Sequence, residues 1–142
     1  MNELHLHIDG SIRKSTLKEW CPDLDVHSFG FRKGMSLQDC LSCFRTTVSA
    51  LNTPRRMQRA VREICEDQKK IGVNKTELRF APHIHGVDTK EMVAAATSAL
   101  DNDTNVILCG LYGENPKTFE LLVDIAKNND RVVGLDLSLI HI

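Results

Sequence analysis

The chain has 142 residues, 42% apolar and 26% charged, with a formal net charge of −1. That is a soluble, single-domain composition, and the near-zero charge gives no reason to expect nucleic acid or an anionic membrane as partner. No apolar run approaches a membrane span, and the polar first residues lead straight into a strand with no signal-peptide pattern, so a cytoplasmic protein is expected.

Leu4 to Asp9 alternates apolar and polar residues, the period-2 pattern of a half-buried strand. Residues two apart share a face, so His5, His7 and Asp9 point one way. Leu4, Leu6 and Ile8 point towards a covering layer. Two neutral imidazoles side by side can ligate one divalent ion, zinc being the commonest candidate. Asp9 fits a supporting partner of the imidazoles, a ligand, or an acceptor for a substrate hydroxyl. Gly10 ends the strand and lets the backbone turn close to the site. A bare H-x-H also fits a solvent-facing strand with incidental histidines, and the Asp-Gly that follows makes the pattern more specific.

Further along, Ser15 is positioned to cap a short helix ending before Cys21-Pro22. A turn-rich connection from Asp23 to Gly34 follows. Ser36 then caps a helix whose Leu37, Leu41, Phe44 and Val48 form one stripe, and Thr53-Pro54 opens the next. There Met57, Val61, Ile64, Cys65, Gln68 and Ile71 follow helical spacing, with Gly72 at the C-terminal cap. Lys75 to Ala81 is a second strand closed by Pro82, and Asp88 caps a helix through Leu100. Val106 to Gly110 is an apolar run that fits a strand covered on both faces. Pro116 opens a helix with Phe119, Leu122, Val123 and Ala126 inward, and Arg131 to Leu137 is the fourth strand. The five cysteines, Cys21, Cys40, Cys43, Cys65 and Cys109, are an odd number; Cys40 and Cys43 form C-x-x-C inside a helical pattern with no neighbouring redox or zinc context, and all five fit free thiols in a reducing compartment.

Strands alternating with helices argue a parallel sheet. Two α/β architectures fit: a small doubly wound sheet, or the N-terminal half of a (β/α)8 barrel, whose usual length is about 250 residues. No glycine-rich phosphate turn follows the first strand, and metal-ligating histidines on that strand favour the half-barrel.

With these residues laid out, the sequence resembles the adenosine deaminase family of metal-dependent amidohydrolases, which are (β/α)8 barrels. The blocks that carry the resemblance are ELHLHIDGS, SLQDCLSCF, KTELRFAPHIH and VVGLDL. The resemblance implies that His5 and His7 are zinc ligands, that Asp9 hydrogen-bonds a sugar hydroxyl with Gly10 as the turn beside it, and that Leu37, Cys40, Leu41 and Phe44 close the pocket. It implies a small-molecule purine nucleoside as partner, most simply adenosine, and hydrolytic deamination: zinc supplies hydroxide for attack on C6 while a glutamate protonates the ring. His83 and His85 are not zinc ligands in the family, and Arg79 is expected to be a structural ion-pair partner. The other zinc deaminase class carries P-C-x-x-C, which is absent here.

The family's third zinc histidine, proton-donating glutamate, further catalytic histidine and zinc-site aspartates lie on strands five to eight. Residues 1–137 therefore match the N-terminal half of the barrel, while Ser138–Ile142 departs from the family pattern. His141 has no setting that makes it a replacement ligand, and Glu114, after strand three, is the one glutamate placed near a barrel mouth. The expectation is a truncated, inactive deaminase fragment of open oligomeric state. The alternatives are another amidohydrolase acting on adenine or AMP, a non-catalytic binding fragment, or a self-contained small α/β protein with incidental histidines.

Overall fold

The computed structural model describes residues 1–138, so His141 lies outside the described residues. Strands β1 (Asn2–His7), β2 (Lys75–Phe80), β3 (Thr104–Leu111) and β4 (Val132–Ser138) lie side by side in chain order, each pair parallel. Helices α1 (Lys14–Trp20), α2 (Leu37–Ala50) and α3 (Pro54–Lys70) follow β1. A 3-10 turn at Pro82–Ile84 and α4 (Thr89–Ser98) follow β2, and α5 (Pro116–Lys127) joins β3 to β4.

Local chemistry sets most helix boundaries. Ser36 accepts from Asp39 N while the Asp39 carboxylate accepts from Ser36 N, a reciprocal capping box. Thr53 accepts from Arg56 N with Pro54 at the first helical position, and Asp88 accepts from Glu91 N. At the end of α3, Gly72 adopts φ +77°, Val73 N donates to Gln68 O and Gly72 N donates to Lys69 O. That is a Schellman cap.

Several boundaries and faces differ from the sequence expectation. α1 begins one residue before Ser15, and its N-cap, Arg13, makes no side-chain cap. Tertiary ties fix this helix start instead: Arg13 Nε donates to Asp67 Oδ2 at 2.8 Å and Nη2 to Asp67 Oδ1 at 2.7 Å, fastening the turn to α3. α4 stops at Ser98 rather than Leu100. Ile71 continues the apolar spacing of α3 but is 67% exposed, because the helix has already reached its C-cap there.

Paired residues in a parallel ladder share a face, so the register separates two sides of the sheet. Leu78, Phe80, Val106 and Leu108 point to the helical layer and form the core with Met57, Val61 and Ile64 of α3, Met92 and Val93 of α4, and Leu122 of α5. His7, Arg79, Ile107, Cys109 and Asp136 occupy the opposite side. Ile8 is fully buried, but Leu4, expected to face a covering layer, is 53% exposed. The ladder register shifts between Glu3 and Leu6, so the alternation that carries Leu6 and Ile8 to the core does not extend back to Leu4. On the edge strand β4, Val133, Leu135 and Leu137 are each close to half exposed. The free thiols include buried Cys65 and Cys109.

Candidate metal and substrate site

The two first-strand histidines converge. His5 Nε2 and His7 Nε2 lie 3.3 Å apart. A tetrahedral zinc with Zn–N bonds of about 2.0–2.1 Å separates two ligand nitrogens by about 3.3 Å, so this pair fits one zinc ion. His7 is half-buried, and its pKa is lowered first by that burial and then by the neighbouring His5 and Arg79. The shift favours the neutral imidazole that ligation requires. Among the described residues no group of three or more His, Cys, Asp or Glu side chains is placed to hold a metal. Among the described residues the two imidazoles therefore converge with no third candidate ligand beside them.

Asp9 sits just past the strand, with its carboxylate 3.9 Å from His7 Nδ1 and largely buried. Gly10 N donates to Asp9 Oδ1 at 3.1 Å. Burial raises the Asp9 pKa to about 6, against the lowering effect of backbone donors. A buried carboxylate with spare acceptor capacity can take a hydrogen bond from a ligand hydroxyl. Gly10 does not adopt positive φ, and a Cβ built there meets Phe44 Cε1 and His7 Cβ at 3.8 Å, ordinary contact. The turn itself therefore does not demand a glycine.

Two cavities meet at Asp9. One is lined by His7, Asp9, Leu41, Phe44, His85 and Cys109, among others. The other runs beneath α2, with Asp9, Gly10, Lys14, Phe31, Phe44 and Thr47 in its wall. Phe44 lines both, 5.3 Å from the Phe31 ring in edge-to-face contact and 6.4 Å from the His7 ring. Leu41 and Phe44 are thus brought to His7. Leu37 is not: it is 69% exposed in the first turn of α2 and lines neither cavity. Cys40 is partly buried and also lines neither.

The exit-loop histidines act as fasteners. His85, 5% exposed, donates from Nδ1 to Val48 O at 3.2 Å and ties the loop after β2 to α2. His83 Nε2 donates to Glu114 Oε1 at 2.5 Å, and Glu114 Oε2 accepts from Leu111 N at 2.9 Å. Both Glu114 oxygens are engaged in joining the loops after β2 and β3. Arg79 Nη1 donates to Asp136 Oδ2 at 2.7 Å, the ion pair expected of Arg79 with a partner the sequence did not indicate. Asp136 belongs to the imidazole face through its pairing with Cys109.

Comparison with known proteins matches the adenosine deaminase family profile over residues 1–139. The chain belongs to the adenosine deaminase family. An adenosine deaminase of Clostridium acetobutylicum is 30% identical across 96% of this chain, which covers 48% of that protein. One of Enterococcus faecalis is 28% identical, with 96% and 47% covered. The chain thus spans about half the length of these adenosine deaminases. Among solved structures, a zinc-bound amidohydrolase from Burkholderia ambifaria superposes with TM-score 0.81 at 20% identity, covering 99% of this chain and 44% of that one. An adenine deaminase from Arthrobacter aurescens gives 0.80 at 21%, with 99% and 49% covered. These likenesses establish the fold, and the four (β/α) strands correspond to about half of each neighbour's barrel.

Proposed function

We propose that this deaminase-family chain contributes the first-strand metal ligands and the sugar-binding carboxylate of a zinc-dependent purine nucleoside deaminase. The observation that carries the reading is the 3.3 Å separation of His5 Nε2 and His7 Nε2 beside buried Asp9. When bound, zinc lowers the pKa of its water towards about 7 and supplies hydroxide at neutral pH. His5 and His7 hold that ion as neutral imidazoles. Asp9 would accept a hydrogen bond from a sugar hydroxyl. Leu41 and Phe44 shield the base from bulk water, which strengthens each polar contact inside the pocket. Among the described residues only two of the three protein ligands that a catalytic zinc usually keeps are offered, so residues 1–142 by themselves are expected not to turn over adenosine.

Zinc titration of the purified chain tests this reading. One zinc per chain is expected, and His5→Ala/His7→Ala should bind it at least about 100-fold more weakly, beyond the 10–100-fold effect of supporting groups. Unchanged zinc binding in the double variant removes the reading. A second reading, a nucleoside monophosphate as ligand, draws on Lys14, which lines the same cavity as Asp9 and Gly10. Tighter binding of AMP than adenosine, lost in Lys14→Ala, would decide for it.

A further inference from the structure

The register of β1 is interrupted where the imidazoles begin. Glu3 pairs with Thr76 and Leu6 with Leu78, so Leu4 and His5 stand opposite the single residue Glu77. Two residues against one is a bulge, a device that re-aims side chains and leaves backbone groups without ladder partners. Here those groups are taken up by side chains. His5 N donates to Glu3 Oε1 at 3.0 Å, and Leu4 O accepts from Arg79 Nη2 at 3.1 Å. Leu4 C=O and His5 N–H are the two ends of one peptide unit, which is therefore gripped at both ends.

The grip on the carbonyl is itself anchored. Arg79 is 8% exposed and extends from β2 to β1 through Nη2 and to β4 through Nη1, which donates to Asp136 at 2.7 Å. The guanidinium spans the sheet on the imidazole side, beneath His7, its ladder partner. A planar fork with fixed donor directions can hold two acceptors at once, which a lysine ammonium on a flexible stem does less well. In an unbroken strand the side chains of residues two apart run roughly parallel. The clamped bulge is where β1 departs from that geometry, and the two Nε2 atoms meet 3.3 Å apart.

We infer that Arg79, with Glu3, is a positioning residue for the metal site: it fixes the Leu4–His5 peptide so that His5 shares one ion with His7. This rests on the metal reading of the two imidazoles. The consequence is selective, because His5 follows the clamped peptide whereas His7 lies beyond it, in regular pairing with β2.

The test is zinc titration of the whole chain, by competition with a chromophoric chelator and by the imidazole 15N resonances. In the unaltered chain both Nε2 resonances should shift on zinc addition; if they do not, the metal reading itself fails. Arg79→Lys should retain the pair with Asp136 and lose the bond to Leu4 O. Zinc affinity should then fall about tenfold or more, with the His7 resonance still shifting and the His5 resonance no longer doing so. Loss of both shifts, the result of a general loosening of the site, would overturn the selective role. Glu3→Ala, which removes only the surface half of the grip, should give a smaller fall of the same kind. It carries the test alone if Arg79→Lys does not fold cooperatively. A folded variant with unchanged affinity and both resonances shifting overturns the inference.

Discussion

Phe119 of α5 lies so close against Gly110 of β3 that a Cβ built on the glycine would fall on the ring edge at Cε1 and Cδ1. Gly110 is buried on the helical side of the sheet, so an added methyl must displace either the half-buried ring or the strand. Gly110→Ala should destabilise the chain by about 1–3 kcal/mol, the usual result of overpacking. Urea denaturation measures it. Gly10→Ala is the contrast, since a Cβ there makes only ordinary contacts, and its midpoint should move little.

Glu114 joins two exit loops, with one oxygen on His83 Nε2 and the other on Leu111 N. His83 and Glu114 side chains are 13% and 21% exposed, so loss of the carboxylate strands donors largely away from water. Glu114→Ala should cost about 2 kcal/mol, within the range for unsatisfied buried donors. Zinc affinity at His5 and His7 should stay unchanged. A fall in metal affinity with intact stability would instead make Glu114 part of the metal site.

The face carrying His5, His7 and Asp9 was legible because a strand's period of two assigns faces without knowledge of neighbours. The convergence of the imidazoles was not, since the bulge opposite Glu77 beside His5 appears only once β1 is paired with β2. Arg79 and Asp136 are 57 residues apart and meet only through the registers of two ladders, β2 with β3 and β3 with β4. The α2 stripe named a face correctly but not where that face runs past the protein's edge, which is why Leu41 and Phe44 reach the site and Leu37 does not. Gly110 reads as one more residue of an apolar strand until the Phe119 ring is placed over it.

Phe44 stands between the two cavities at Asp9, so its loss should show in ligand binding. Phe44→Ala should weaken adenosine binding, read by NMR titration, more than it lowers the melting temperature. Leu37→Ala should do neither, because a surface substitution at a 69% exposed residue usually stays within about 0.5 kcal/mol. A large stability loss with unchanged affinity in Phe44→Ala would make that ring ordinary core.

His85 gives the chain an acid-sensitive fastening. Its pKa is lowered by burial, opposed by the backbone carbonyl of Val48, with nearby His83 lowering it further. The unfolded chain therefore binds more protons than the folded one between the folded pKa and about 6.5. Stability rises with pH through that window and is lost as pH falls. His85→Asn removes the titration and can still donate to Val48 O. Its melting temperature should decline less than that of the unaltered chain between pH 7 and 5, and equal slopes would rule out His85 as the cause.

Residues 1–142 alone should release no ammonia from adenosine and should associate as concentration rises. The first expectation follows from ligand count: the described residues offer zinc His5 and His7 and no cluster of three. Glu114, the one glutamate at a strand exit, is already committed on both oxygens. Groups that act as a unit are lost together, so partial activity is not expected. The second follows from the sheet edges. Among the described residues β1 and β4 each have one unpaired side, and Val133, Leu135 and Leu137 expose an apolar row along β4. Leu135→Lys should therefore shift sedimentation towards monomer without altering zinc affinity. A monomeric, cooperatively melting chain with zinc-dependent ammonia release would overturn both expectations, and a Leu135→Lys variant that associates as before would place the contact elsewhere.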